Sequence, residues 1–248
     1  MLKKCADTLL PAARDLKVRR ALVGPGFIAV QLDDDSLGLC VNIIPPGTTG
    51  CTVYRKGGSL VGSRAEDLLG LSIESDFISR ALALATVNAL ASRISTAETG
   101  DVFSHIEIRE GSHAVIVGLI EPVADMLVRK GCKVSIFDDA PRSHPSMEPL
   151  NMLPKRLESA DLVVLTGTTI VNGTLTDILA RIGHAGEVIV MGTSTPMIPE
   201  VFSGTGVTYL AGASIKDPDR AFTIVMEGNG TRELHRSGAL MKAFMAVR

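Results

Sequence analysis

The first part of the chain carries its apolar side chains at two different spacings. A helical spacing over about residues 1–16 is followed by three short apolar runs, at residues 18–23, 27–32 and 37–44. These runs predict a helix and then strands, of which the second and third form an antiparallel hairpin. From about residue 66 the spacing is helical again, with one apolar stripe made by Ile78, Ala81, Leu82, Ala85 and Ala89. This part is therefore predicted to be a small α+β domain.

Beyond about residue 100, strand-like and helix-like segments alternate. Apolar runs predict strands at residues 114–118, 133–138, 161–166, 187–192 and 207–211. Helices are predicted at residues 122–129, after Gly173 and around residues 199–203. The alternation predicts an α/β fold with a parallel, Rossmann-like sheet covered by helices on both faces. Because polar residues interrupt the apolar periodicity at residues 95–101, we predict two domains, residues 1–98 and residues 99–248.

The composition is that of an ordinary folded protein and narrows the classes of partner. The 248 residues are 46% hydrophobic and 21% charged, with a formal net charge of −2. Lysine and arginine are scattered along the chain, so we expect neither nucleic acid nor a membrane surface as a partner. The apolar runs are too short to span a membrane and no secretory signal is visible, so we expect a cytoplasmic protein.

Polar residues and glycines follow the predicted strands of the second domain. Ligands of open parallel sheets bind beyond the carboxyl ends of the strands, so these residues are the candidate ligand-binding set. They are Gly118, Asp138, Thr166, Gly167, Thr168, Thr169, Asn172, Thr174, Gly192, Thr193 and Ser194. The hydroxyls and glycines of residues 166–174 suit a cradle for an oxygen-rich group at a helix amino terminus. The alternative is a structural one, in which Asn172 or Thr174 caps the next helix.

The loop after the first strand of this domain lacks the dinucleotide fingerprint. That fingerprint requires GxGxxG, whereas here Gly118 is followed by Ile120 and Val123 at the other two glycine positions. We therefore do not expect NAD or FAD bound in the usual mode. Asp138 lies where related sheets place an acid on a ribose hydroxyl, which leaves an adenosyl or ribosyl group open.

Four further polar residues are candidates for the site. Asn88 lies beside the apolar stripe of its helix, where it either bridges the domains or contacts a ligand. Asn42 ends a hairpin strand, and the following loop of residues 45–49 could form a flap over the site. Glu121 and Glu74 are the carboxylates that we would assign to acid or base catalysis, since no nucleophile motif is present.

No cluster of metal ligands can be read from the sequence. The five histidines show no HxxxH or HxH spacing, and the four cysteines form no CxxC pair. His105 alternates with Glu107 and Arg109, which predicts a solvated edge strand. We therefore predict no metal site built from the protein, and free thiols that act as small buried apolar groups.

Several of these segments resemble the DUF364 family, whose proteins are labelled with heavy-metal chelation and begin with a DUF4213 domain. The resemblance rests on GPGFIAV at residues 24–30, VNA at 87–89, TGTTIVNGT at 166–174 and LAG at 210–212. It implies an enolase-amino-terminal-like domain joined to a Rossmann-like domain, with a cleft between them. It also implies a flavin-, pterin- or siderophore-like ligand.

Two hypotheses of function follow. The first is an enzyme that acts on such a compound in the cleft, and the second is a binding or sensing protein without turnover. They differ in whether Glu121 or Glu74 reaches the loop of residues 166–174. The sequence leaves open the identity of the ligand, any cofactor and whether the chain forms a homo-oligomer.

Overall fold

The computed structural model describes residues 1–44, 52–140 and 143–247, which form a mixed α/β fold with two sheets. The smaller sheet is antiparallel and consists of β1 (Val18–Val23), β2 (Phe27–Leu32) and β3 (Leu37–Val41). The bounds predicted for the first two strands are confirmed, and the third is shorter than predicted. The helices of this half are α1 (Leu2–Leu9), α2 (Ala65–Gly70) and α3 (Phe77–Ile94).

The larger sheet of the described residues contains seven strands. They are β4 (Glu98–Thr99), β5 (His113–Val117), β6 (Lys133–Phe137), β7 (Leu162–Thr166), β8 (Glu187–Met191), β9 (Tyr209–Ile215) and β10 (Leu240–Ala246). Their order is β4-β10-β9-β8-β7-β5-β6, in which β5 to β9 are parallel and β10 is antiparallel to both β9 and β4. The predicted fold class is confirmed. The two antiparallel strands at one edge were not predicted.

Helices connect most of the strands of the larger sheet. They are α4 (Glu121–Arg129), α5 (Leu153–Glu158), α6 (Thr168–Asn172), α7 (Leu175–Leu179), α8 (Pro199–Phe202), α9 (Pro218–Met226) and α10 (Thr231–Arg236). The parallel strands follow the order second-first-third-fourth-fifth. The strand β6 is added on one side of β5, whereas β7, β8 and β9 are added on the other side. The order of strands thus reverses between β5 and β7, and ligands of such sheets commonly bind beside this switch point.

The edge strand expected at His105, Glu107 and Arg109 is wrong: His105 follows a short 3-10 turn, and its ring packs on Phe244 at 4.4 Å between ring centroids. That packing replaces strand pairing for this segment.

The predicted boundary between residues 98 and 99 falls within β4, which pairs with β10. The division into two domains stays a prediction.

Helix α3 lies at the centre of the protein. The sequence predicts one apolar stripe on it, but every residue from 81 to 87 is buried, which covers nearly two turns on all sides. It packs on β2 and β3 and shares one hydrophobic cluster with β5, β7 and β8. Among the described residues it is the helix long and apolar enough to cross a membrane, and 67% of it is buried inside the fold. Its apolar composition is thus accounted for by internal packing.

Each parallel strand is buried on both faces, as near-continuous apolar runs predict. Val115, Val163 and Val190 face the cluster that contains α1 and α3. On the other face, Ile116 and Val164 pack with α4. The amino-terminal half therefore covers one face of the larger sheet, and its helices α1 and α3 supply the predicted helical cover of that face.

Gly38 of β3 permits the close approach of α3. A Cβ atom at this position would lie 1.9 Å from the Ala85 carbonyl oxygen and 2.4 Å from the Ala89 amide nitrogen. Both are backbone atoms, which a rotamer change cannot move. We expect Gly38→Ala to lower the free energy of unfolding by at least about 3 kcal/mol, at the upper end of overpacking effects. Urea denaturation followed by circular dichroism measures this.

Gly70→Ala is the control for this experiment. A Cβ at Gly70 meets nothing within 4 Å, and the residue ends α2 with φ of −58°. This substitution should stabilise the protein by about 0.4–1 kcal/mol through the unfolded chain. Equal stability of the two variants would show that α3 does not contact β3 as described.

Burial controls the chemistry of two cysteines. Cys5 and Cys40 are fully buried, and removal from water raises the pKa of each thiol to about 12. The thiolate is the reactive form of cysteine. We therefore expect iodoacetamide at pH 8 to leave Cys5 and Cys40 unmodified in the folded protein and to alkylate both in denaturant. Peptide mass mapping measures this, and rapid labelling of native Cys40 would contradict the packing of β3.

Candidate functional site

A cleft of about 400 Å³ lies between the smaller sheet and the carboxyl ends of β8 and β9. One wall comes from β3 with the turn before it and from the second half of α3. The other wall comes from the loop after β8, the end of β9 and the start of β10. Both halves of the protein therefore contribute to the cleft, at the end of the sheet where parallel sheets bind ligands.

Asn88 of α3 bridges the two walls. Its Nδ2 donates to the Leu39 carbonyl oxygen at 2.9 Å and approaches the Thr193 carbonyl oxygen at 3.5 Å. Its Oδ1 is buried and has no hydrogen-bond partner in the described structure. Buried polar atoms without a partner are rare in folded proteins and require an explanation. Asn88 is thus both a bridge between the walls and a free acceptor beside the cleft.

Thr195 supplies the second unpartnered group. Its side chain is 3% exposed, and its Oγ1 has no hydrogen-bond partner among the described residues. The loop that carries it packs against Gly167, where a Cβ would lie 2.8 Å from the Thr195 amide nitrogen. Gly167 is therefore required for contact between the loops after β7 and β8. The same Cβ would lie 2.9 Å from Thr195 Oγ1, so the hydroxyl lies against Gly167, although Thr195 is one of the residues that line the cleft.

Ser194 fixes the same loop to the smaller sheet. β3 is an edge strand, and the Val41 amide donates to Ser194 Oγ at 2.9 Å. Together with the bond from Asn88 to Leu39, this satisfies backbone groups on the outer edge of β3. Ser194 is 2% exposed, so its role here is to join the two halves. Gly192, at the start of the loop, has φ of +117°, which favours glycine.

The charged residues that line the cleft are already paired. Arg93 forms an ion pair with Asp34 at 2.5 Å, and Asp35 is paired with Arg19. All four side chains are partly exposed, so these pairs contribute little to stability. Because of these pairs, every charged side chain in the described walls of the cleft has a partner of opposite charge.

The segment of residues 166–174 uses its hydroxyls internally. The Thr169 hydroxyl donates to the Thr166 carbonyl oxygen at 2.7 Å, and the Thr168 hydroxyl donates to Thr166 Oγ1 at 3.1 Å. The sequence predicts a loop here, but α6 occupies Thr168–Asn172, because Ile170 and Val171 bury their side chains in the central cluster. Gly173, with φ of +85°, ends the helix.

The helix cap suggested for Asn172 or Thr174 is wrong, because the two side chains bond to each other in a turn before α7. Asn172 Oδ1 accepts from the Thr174 amide at 3.1 Å and from the Thr174 hydroxyl at 2.8 Å. This turn joins the end of α6 to α7, whose N-cap residue is Thr174 and which has no side-chain cap hydrogen bond. Asn172 therefore stabilises the turn between the two helices, and its oxygen is already occupied.

The switch point between β5 and β7 is also internally satisfied. Gly118 has φ of +83°, and a Cβ there would lie 2.4 Å from Thr166 Cγ2. Asp138 accepts hydrogen bonds from the Leu119 amide at 2.7 Å and the Ala140 amide at 2.8 Å. These contacts hold the loops after β5, β6 and β7 together.

Residues 101–244 match the family DUF364, and residues 6–91 match the family DUF4213. The chain belongs to the DUF364 family. Both families are described as “Putative heavy-metal chelation”. The resemblance drawn from the residues is thus confirmed.

Two solved DUF364 structures share the fold of this chain, and both are described as proteins of unknown function. One, from Pyrococcus horikoshii, has a TM-score of 0.85 and 22% identity over 99% of both chains. The other, from Desulfitobacterium hafniense DCB-2, has a TM-score of 0.80 and 22% identity over 99% of this chain and 98% of its own. An uncharacterized protein of Methanocaldococcus jannaschii is 28% identical over 169 residues, which are 65% of this chain and 64% of that protein.

The family description raises the question of a metal centre within the chain. Among residues 1–44, 52–140 and 143–247, no three histidine, cysteine, aspartate or glutamate side chains are grouped so as to hold a metal ion. Divalent metals are usually held by three or four converging ligands. The described part of this DUF364 protein thus offers no direct metal centre.

The remaining candidates lie away from the cleft. Glu74 is paired with Lys56 at 3.0 Å, and Glu121 is exposed at the start of α4. Neither lines the cleft, and neither hydrogen-bonds to residues 166–174 in the described structure. Asn42 closes a turn, donating to the Gly24 carbonyl oxygen at 2.8 Å and accepting from the Ile44 amide at 3.0 Å. The proposed flap at residues 45–49 lies outside the described residues.

The residues that line the cleft of this DUF364 protein are only partly those that the sequence predicts for a binding site. Of the predicted residues, Asn88 and Thr193 line the cleft. Sequence reasoning missed Thr195, Ser92 and the end of β9. Thr195 could have been included with Thr193 and Ser194, since it belongs to the same strand-end loop. Ser92 and β9 carry no motif, and only packing brings them to the cleft.

The turn at Asn172 can be tested by substitution. We expect Asn172→Ala to lower the free energy of unfolding by about 0.5–1.5 kcal/mol, the usual net contribution of a hydrogen bond. Asn172→Asp keeps an oxygen at the same position and should retain most of the stability. Urea denaturation measures both. Wild-type stability in Asn172→Ala would contradict a role for its oxygen in the turn.

Proposed function

We propose that this protein binds an uncharged small molecule in the cleft between the smaller sheet and the carboxyl ends of β8 and β9. The observation that carries the proposal is the cleft itself, which has a volume of about 400 Å³ and is formed by both halves of the protein at the carboxyl ends of β8 and β9. Ligands of parallel sheets bind at this end of the strands. Polar residues of the loop after β8, Thr193 and Thr195, and Asn88 of α3 contribute to its lining.

The cleft has the size and surface of a small-molecule site. Its volume of about 400 Å³ lies within the range of ligand pockets, about 300–1,000 Å³. Its lining is about half apolar, with Leu37, Leu39, Met197, Ile215 and Leu240, and about half polar or charged. Of the flavin-, pterin- and siderophore-like compounds, we propose a flat ring system with polar edges for this mixed lining.

The paired charges of the cleft support a neutral ligand. A free metal ion or a phosphate would meet no unpaired charge of opposite sign among the described residues that line the cleft. We therefore propose that the family's link with heavy-metal chelation acts through a small chelating molecule. The protein itself contributes recognition of that molecule.

We propose binding rather than turnover as the activity. The carboxylates that line the described cleft, Asp34 and Asp35, are held by arginines, and the predicted acid or base residues Glu74 and Glu121 lie elsewhere. General acid–base catalysis requires a group within hydrogen-bond reach of the reacting proton. The second hypothesis, a binding or sensing protein, is the one that this arrangement favours.

A thermal-shift panel with a cleft-filling variant tests the proposal. The probes are riboflavin, pterin and a hydroxamate siderophore, with NAD as the negative control. A ligand at about 100 times its dissociation constant adds about 2.7 kcal/mol of stability. For a chain of about 150–250 residues this raises the melting temperature by about 5–11 °C. We expect such a shift with at least one ring compound and none with NAD.

Ser92→Phe should abolish the shift, because Ser92 is an exposed residue of α3 that lines the cleft. Thr223→Phe on α9 is the matched control. Each hydroxyl donates to a main-chain carbonyl of its own helix, and both positions are exposed. An unchanged shift in Ser92→Phe would place the ligand elsewhere. The absence of a shift with all three probes would contradict the proposal.

A further inference from the structure

We propose that Arg80 of α3 binds an oxyanion, such as a phosphate or carboxylate group, beside the turn that joins α6 to α7. This site is separate from the cleft, whose lining does not include Arg80. The inference therefore goes beyond the proposed function and does not depend on it.

Arg80 differs from the other partly buried arginines of the described chain. Arg20 pairs with the carboxylate of Asp219, and Arg156 pairs with that of Glu148. Arg80 is also partly buried, yet no carboxylate of the described residues lies within ion-pair distance of it. Taking an arginine out of water costs free energy that an opposite charge usually offsets. Of these three arginines, Arg80 is thus the one whose charge has no counter-charge.

The contacts of the guanidinium show which of its atoms a ligand would meet. Nη2 of Arg80 donates to the Ile170 carbonyl oxygen at 3.2 Å, and Nε is buried without a hydrogen-bond partner in the described structure. The acid one turn earlier on α3, Asp76, accepts from the Ser79 amide at 2.8 Å and so caps its own helix. A ligand would therefore meet the terminal nitrogens, Nη1 and Nη2, and not Nε.

The terminal nitrogens lie against an exposed turn. A Cβ at Gly173 would lie 3.0 Å from Nη2 and 3.4 Å from Nη1 of Arg80, and both Gly173 and Thr174 are exposed. Glycine therefore leaves room for the guanidinium at a position that solvent reaches. The two terminal nitrogens of an arginine match the spacing of two oxygens in a carboxylate or a phosphate. An anion bound there would supply the counter-charge that Arg80 lacks.

A thermal-shift titration with inorganic phosphate and with acetate tests the site, at an ionic strength held constant with sodium chloride. An oxyanion at about ten times its dissociation constant should raise the melting temperature of a chain of this length by about 3–6 °C. A shift with phosphate alone assigns the site to phosphoryl groups, and a shift with acetate alone assigns it to carboxylates. No shift with either anion at tens of millimolar would overturn the inference and leave Arg80 as a structural link between α3 and α6.

Arg80→Met removes the charge and nearly keeps the length of the side chain. It also removes the bond to Ile170, so the readout is the anion-dependent shift, which should disappear. Arg129→Met, at an exposed arginine of α4, is the matched control and should keep the full shift. An equal shift in wild type and Arg80→Met would place the anion elsewhere and overturn the inference.

Arg80→Lys provides a second variant in case Arg80→Met does not fold. It keeps the charge and loses the paired terminal nitrogens, so we expect the dissociation constant of the anion to rise at least about tenfold. Isothermal titration calorimetry measures this constant. An unchanged constant in Arg80→Lys would contradict recognition by the guanidinium.

Ser92→Phe separates this site from the cleft. Ser92 lines the cleft, so Ser92→Phe should keep the full shift with the anion. Loss of the anion shift in Ser92→Phe would place the anion in the cleft and overturn the inference. A shift with a ring compound that disappears in Ser92→Phe and persists in Arg80→Met would support the proposed function whatever the outcome with phosphate and acetate.

Discussion

The close packing of α3 on β3 is the contact on which the rest of the structure depends. Gly38 has no side chain, and the facing positions of the helix, Ala85 and Ala89, are small, so the helix axis lies very near the strand. Protein interiors tolerate little change in volume at such a contact. The same helix is buried on its other sides by α1, α2 and the larger sheet. Its position therefore determines how the two halves meet.

The cleft follows from this meeting of the halves. With α3 held against β3, Asn88 reaches the outer edge of the strand, and Ser194 reaches it from the loop after β8. An exposed strand edge would otherwise offer unpaired backbone groups to other chains. The two side chains cover that edge and fix the loop that carries Thr195. The hydrogen bonds that satisfy the backbone groups of β3 therefore also form one wall of the cleft.

Open space distinguishes the cleft from the other strand ends. At the switch point, Gly118, Thr166 and Asp138 are occupied by contacts with neighbouring loops. Buried atoms without a described partner occur in Asn88 and Thr195, which line the cleft, and also in Arg80, which contacts α6. The space between the two halves, more than the number of polar residues or of unpartnered atoms, therefore locates the candidate site.

The sequence by itself determined the family, the fold class and most of the strands, because apolar periodicity and turn residues are local signals. It also identified Asn88 as either a bridge or a ligand contact, and the structure shows the bridge. Only the tertiary structure decided which strand-end side chains already have hydrogen-bond partners. Asn172 is held by a local turn, and the surroundings of Asn88 and Thr195 depend on segments distant in the chain, neither of which apolar periodicity reveals.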